Sequence, residues 1–248
     1  MPTPFYHLSI ADDLLHHSQL KNTIRRKLVA ERGAFLFGNT APDVQVVSGQ
    51  ARQETHFFTF PFDETKPAWE CFFTANPDLA ALSALDPDRA AFIAGYICHL
   101  QADWFWVQKI YWPYFRQEGS WGPLKTRLYF HNVLRSYYDE LALQALPRGM
   151  DQYLEQAHPD GWLSFIQDEH LSAWCSFLAQ QLHPNGKTRT VQVFAEREGS
   201  DPAEFASLLD SEERMEEEVF RRVPRTLIYK YRQELIETNL NYLNICLS

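Results

Sequence analysis

At 248 residues, with 45% hydrophobic and 15% aromatic side chains, the chain has enough apolar material to bury a large core and is not a disordered segment. A formal net charge of -9 argues against general affinity for nucleic-acid backbones and against a polybasic membrane dock, both of which depend on Lys and Arg. The four cysteines (Cys71, Cys98, Cys175 and Cys246) are widely spaced with no C-x-x-C pair, so they read as reduced core residues rather than a disulfide framework or a thiolate zinc site.

No basic-plus-apolar leader opens the chain and no apolar run approaches the roughly 20 residues of a membrane span, so a cytoplasmic protein without a transmembrane segment is expected. Phe5 to Leu15 is helical in pattern, with His7, Ile10, Ala11 and Leu14 on one inward face and His16 and His17 on the polar side. Gln19 to Arg32 predicts a second helix with Leu20, Ile24 and Leu28 inward; its Lys21, Arg25, Arg26, Lys27 and Arg32 read as a solvated face. Ala34 to Val44 breaks the periodicity at a Gly-Asn turn and an Ala41-Pro42 step, and is expected to be a loop with Asp43 at its far end. Arg52 to Phe58 sets His56 among aromatics, and Asn76-Pro77 and Asp86-Pro87 read as helix starts.

The most informative stretch is Asp86 to Pro113. Asp86 is placed as N-cap, Pro87 as first helical residue and Pro113 as the stop. Phe92, Tyr96, His99, Asp103 and Trp106 recur at spacings of three and four on one stripe whose flanks are also apolar. A carboxylate on a buried face must be paired, hydrogen-bonded or bound to a cation. Gly95, one turn before His99, leaves room for another backbone. Arg116 to Pro123 is a loop, and Lys125 to Ala145 a helix carrying Leu128, His131, Leu134, Arg135 and Tyr138 on one side, with Asp139 two turns beyond His131. From Asp151 to Ser248 the chain is helix after helix, with a capped start at Asp201-Pro202-Ala203-Glu204, turns at His158 to Gly161 and His183 to Gly186, and a charge-laced exposed segment at Glu212 to Arg222. With no convincing strand pair, the expected fold is all-α, a single multi-helix domain over residues 1–248.

Seven inward or isolated side chains remain: His7, Asp43, His56, His99, Asp103, His131 and Asp139, all within the first 140 or so residues. Imidazole and carboxylate without thiolate is the donor set of a hydrolytic zinc centre, and seven candidates exceed what one ion uses, so two or three ions fit better.

The stretches Phe5-Tyr6-His7-Leu8, Gly38 to Asp43, Thr55-His56-Phe57, Gly95 to Asp103 and His131-Asn132, in this order and at these spacings, resemble the zinc-dependent phospholipase C family within the all-helical phospholipase C/P1 nuclease group. The resemblance covers about residues 5 to 140; residues 151–248 carry no recognised motif. It implies that His99, His56 and Asp43 hold one zinc, that Asp103 bridges to a second zinc taking His7, and that His131 belongs to the remaining site, with Asp43 as ligand or general base. The family's later His-x-x-x-Glu pair is absent, since Arg135 stands four after His131; Asp139 is the substitute, and whether it or an N-terminal amine completes a third site stays open. The implied activity is hydrolysis of a phosphoester or phospholipid-like small substrate by metal-activated water attacking phosphorus, with no nucleic-acid partner. Phe57, Phe58, Trp104, Trp106, Trp112 and Trp121 are placed either as walls of a lipid or base pocket or as ordinary core. Two other readings stay open: a metal-binding helical protein with reduced or no catalysis, and a helical interaction protein whose His and Asp residues are structural.

Overall fold

A computed structural model describes residues 1–117, 121–184, 186–199 and 201–248, and of Glu198 the backbone alone. The chain forms α1 (Pro4–His16), α2 (Asn22–Ala30), α3 (Arg32–Gly38), a 3-10 turn (Ala41–Val44), α4 (Gln45–Ser48), α5 (Arg52–His56), α6 (Ala68–Ala75), α7 (Pro87–Trp106) and α8 (Leu124–Ala145). It continues through α9 (Met150–Glu155), α10 (Asp168–Leu182), α11 (Thr190–Glu198), α12 (Pro202–Leu209), α13 (Glu212–Arg214) and α14 (Arg225–Cys246). Among the described residues there is no strand, so the fold is all-α as expected. No helix among them is long and apolar enough to cross a membrane.

α7 is the axis. Pro87 opens it, where a missing N–H costs nothing, and Asp86 sits at the cap position with extended backbone but makes no capping hydrogen bond. From Ala90 to Trp104 every residue of α7 is buried, because α1, α3, α6 and α14 pack around it. The tightest crossing is with α3. A Cβ on Gly95 would lie 2.3 Å from the Phe35 carbonyl oxygen, and one on Gly38 would lie 2.1 Å from that of Phe92. Only glycine lets the two backbones come so near. At the far end of the molecule Lys27 Nζ donates to the Leu247 carbonyl at 2.7 Å and Lys21 Nζ to that of Asn244 at 2.9 Å, placing positive charge at the C-terminus of α14. These bonds, with Arg32 paired to Asp12 at 2.7 Å, occupy much of the basic face read from the sequence as solvated.

Several local expectations are corrected. Ala34 to Val44 is not a loop: Arg32–Gly38 is helical and the chain turns only at Asn39 and Thr40 before the 3-10 turn. Residues 33–38 are buried on every side, so they show no polar face and no periodicity. The second helix is shorter than expected, running from Asn22 to Ala30. Pro113 does not stop the central helix; the chain widens into a π-helical stretch, Val107–Arg116, that contains the proline. Asn76-Pro77 starts only one 3-10 turn, Pro77–Leu79. The charged segment after Ser211 turns Met215, Val219 and Phe220 into the core. Asp201 does cap α12, accepting from the Ala203 amide at 2.8 Å. Glu118 to Ser120 of the loop after Arg116, and Asn185 of the turn after His183, lie outside the described residues.

Gly95→Ala is expected to destabilise the protein by about 3 kcal/mol, the upper range for forcing a methyl into packed backbone. Urea unfolding measures it; a loss under about 0.5 kcal/mol would contradict the close crossing.

Candidate metal centre

Four segments deliver five polar side chains to one point beside α7. His99 and Asp103 project from α7 one turn apart, His7 from α1, His56 from the last residue of α5, and Asp43 from the 3-10 turn after α3. His7, His56, His99 and Asp103 are all within 1% of complete burial. Asp103 is central: its Oδ1 lies 3.4 Å from His7 Nε2, and its Oδ2 lies 3.2 Å from His56 Nε2 and 3.7 Å from His99 Nε2. Asp43 Oδ1 is 3.5 Å from His56 Nε2. The His7 and His99 rings stack with centroids 3.8 Å apart.

The imidazoles are aimed by their other nitrogens. His99 Nδ1 meets the Asn39 carbonyl at 2.8 Å, and His56 Nδ1 lies 3.2 Å from the Arg52 carbonyl and 2.9 Å from the Thr55 hydroxyl. With Nδ1–H donated to a carbonyl, the Nε2 lone pair of each ring faces the cluster, as a metal ligand requires. The α3–α7 crossing is what brings the Asn39 carbonyl to His99. α5 ends at His56 because Phe57 adopts φ 57°, its ring packed against Phe72 and Phe165.

Charge in the cluster is divided unevenly. Burial pushes His7 down to about 4, with the neighbouring His99 adding to the effect, so this ring is neutral and able to donate a lone pair at pH 7. Burial also opposes the charge on Asp103, but the charges of Arg52 and His99 and the close approach of the His56 and His7 rings outweigh it and hold the carboxyl well below the usual range. At Asp43 burial is likewise outweighed, by the His56 hydrogen bond and the charges of His99 and His56, and the carboxyl is held low.

Two sets of three donors lie close enough to share a cation: His7, His99 and Asp103, and Asp43, His56 and His99. The model of the family described as zinc dependent phospholipase C matches residues 6–182. The chain belongs to the zinc dependent phospholipase C family. Neither the curated proteins nor the solved structures give a match. The family match extends beyond the motif-bearing stretch read from the sequence, through α10, and ends before α11.

The donors present fit the family's metal. Imidazole and carboxylate oxygen are zinc ligands, and no thiolate is among them. His7 Nε2 and Asp103 Oδ1 are buried without a hydrogen-bond partner, although they face each other; a cation between such atoms satisfies both. Arg52 pairs with the other oxygen, Asp103 Oδ2.

Two residues expected at the centre lie elsewhere. His131 Nε2 accepts from the Trp106 indole at 2.9 Å, and its ring is packed by Tyr111 and Phe115. Asp139 Oδ1 accepts from the Phe5 and Tyr6 amides at 3.0 and 3.3 Å, and Oδ2 from the Thr190 hydroxyl at 2.5 Å. It therefore caps α1 from a distance, putting a carboxylate at a helix N-terminus.

A cavity of about 220 Å³ opens beside the centre, lined by Asp43 and Arg52, by residues 1–5 and by side chains of α8, α10 and α11. None of the six aromatic residues read as possible pocket walls lines it; its rings are Phe5, Trp174, Phe177 and Phe194. Trp104 packs instead with Phe58, Phe62 and Trp69 in the core. Arg52, Arg135, Arg189 and Arg197, which also line the cavity, were not recognisable as a group because they come from distant parts of the chain.

Burial raises the Asp139 carboxyl from 3.8 to about 6, against the hydrogen bonds that lower it. A raised folded-state value contributes stability that is full below about pH 4 and is lost as pH rises through about 6, by on the order of 3 kcal/mol. His7, held low, acts in the opposite sense over the same window, so the quantity to measure is a difference. Asp139→Asn is expected to gain on the wild type by about that amount between pH 4 and pH 7. Urea unfolding at the two pH values measures it; a difference independent of pH would contradict the assignment.

Proposed function

We propose that this protein is a zinc-dependent phosphoester hydrolase in which His7, His99 and Asp103 hold one ion and Asp43, His56 and His99 lie around a second. The observation that carries this reading is the pair of donor triads meeting at His99, with two buried ligand atoms otherwise unsatisfied. Bound zinc supplies Lewis acidity and hydroxide at neutral pH, because it lowers the pKa of a coordinated water to roughly 7.

The chain's own groups divide the remaining work. Asp43 is the carboxylate that a water arriving from the cavity can reach: it is 16% exposed and lines the cavity, whereas Asp103 is 1% exposed. Held ionised, Asp43 accepts a hydrogen bond from the attacking water and orients it. The water oxygen bonds to phosphorus, the bond from phosphorus to the leaving alcohol breaks, and the water's proton ends on that alcohol oxygen. Arg52, beside Asp103 and open to the cavity, offsets charge developing on the phosphoryl oxygens. A substrate of phospholipid headgroup type suits the family and the small cavity; a nucleic acid does not suit a chain of net charge -9.

Protein stripped with a chelator and reloaded with zinc is expected to hydrolyse bis-p-nitrophenyl phosphate, and His99→Ala to lower kcat/KM at least a thousandfold while reducing bound zinc by elemental analysis. Zinc bound at full stoichiometry by His99→Ala, or zinc-loaded wild type without turnover of any phosphodiester, would contradict the hydrolase reading. Asp43→Asn is expected to lower kcat by about 10²–10⁴, the usual range for a positioned acid–base group.

A further inference from the structure

Besides Arg52, three further guanidinium groups line the cavity. Arg135 comes from α8, Arg189 directly precedes α11, and Arg197 lies near its end; with Arg52 they put four arginines around about 220 Å³. Among the described lining residues Asp43 is the one carboxylate. None of Arg135, Arg189 and Arg197 forms an ion pair among the described residues. This concentration of unpaired positive charge occurs in a chain whose formal net charge is -9.

Arg135 is half-buried and held in place, while Arg189 and Arg197 stand at exposed positions at the mouth. The Arg135 guanidinium lies 4.2 Å over the Phe194 ring, Nη1 donates to the Met1 carbonyl at 3.3 Å and Nη2 donates to Asn132 Oδ1, while its Nε–H is buried with no partner. Arg189 lies 5.4 Å over Phe177, and its backbone amide donates to Gln181 Oε1 at 2.7 Å. Of the Arg135 nitrogens only Nε is therefore left unengaged to offer a ligand, whereas among the described residues no hydrogen bond engages the Arg189 guanidinium, whose planar fork suits bidentate recognition of phosphate. The same stacking covers the faces of Phe177 and Phe194, so neither ring is open to a quaternary ammonium, and the surrounding charge repels one.

A simple phosphodiester has one negative charge, which the metal centre and Arg52 would already meet. Three further arginines lining the same cavity call for a second anionic group on the same molecule. We infer that the substrate is a phosphodiester whose headgroup carries an additional phosphate, bound by Arg135, Arg189 and Arg197, and not a phosphocholine ester. This rests on the hydrolase reading for the position of the scissile phosphorus. The cavity is smaller than the roughly 300–1,000 Å³ of pockets that enclose a drug-sized ligand, so it takes the headgroup and leaves acyl chains outside. A lipid and its deacylated, soluble counterpart therefore present the same chemistry.

The experiment uses zinc-loaded full-length protein and two readouts. In hydrolysis, kcat/KM is measured on dihexanoyl phosphatidylinositol 4-phosphate, on glycerophosphoinositol 4-phosphate, and on the counterparts lacking the 4-phosphate, with dihexanoyl phosphatidylcholine as the zwitterion. In binding, calorimetry compares inositol 1,4-bisphosphate with inositol 1-phosphate. Each readout is repeated on Arg189→Gln/Arg197→Gln, changed at exposed positions and checked for helicity by circular dichroism; should the pair not fold, the single variants replace it. The extra phosphate is expected to raise kcat/KM and affinity at least tenfold, and the variant to collapse both gaps. A preference confined to the lipid or to the soluble ester identifies the source and still supports the inference. Equal use of phosphorylated, unphosphorylated and choline esters, or a gap the variant leaves intact, overturns it. Binding discrimination without turnover would sustain the anion site and remove the hydrolase reading; turnover without discrimination would do the reverse.

Discussion

The structure depends on one costly act, the burial of the Asp103 carboxylate at 1% exposure in the middle of a helical core. An ionised carboxylate in such a place is tolerated only when surrounded by compensating groups. Three imidazoles and the Arg52 guanidinium provide that surrounding: His7 from α1, His56 and Arg52 from α5, and His99 from α7 itself. Removing α1 or α5 would leave the charge under-compensated, so fold and site are specified together.

The convergence is made possible by backbone geometry. Gly38 and Gly95 let α3 and α7 approach until the Asn39 carbonyl reaches His99 Nδ1, and the turn that follows α3 carries Asp43 to the same place. On the opposite side Asp139 fixes the first turn of α1 and so the direction of His7. Asp139 thus serves the centre by positioning a donor helix, and Arg52 by balancing the charge that the donors enclose. The cavity beside the centre joins the one carboxylate, Asp43, to four arginines among its described lining residues.

What could be read in the residues follows the range of the interactions. His99, Asp103 and Gly95 were legible because one helix turn relates them, and the all-α class because the periodicity of long helices is local. The ordered series of His and Asp motifs carried the family resemblance. α3 was not legible as a helix, because a segment buried on every side has no polar face to create a period. Pro113 misled because a π-helical widening absorbs a residue that ends an ordinary α-helix. The role of Asp139 as a cap on α1 lay across 134 positions of sequence, and no spacing rule reaches that far. The arginine wall was hidden for the same reason: Arg52, Arg135, Arg189 and Arg197 meet only in the folded chain.

The central claim, that these imidazoles and carboxylates enclose divalent ions, is tested most directly by anomalous scattering from a crystal, recorded on both sides of the zinc absorption edge. The account predicts two strong peaks beside α7, one within bonding distance of His7, His99 and Asp103 and the other near Asp43 and His56. A zinc-grown crystal with no peak at this position, and with His7 and Asp103 bonded directly to each other, would contradict it.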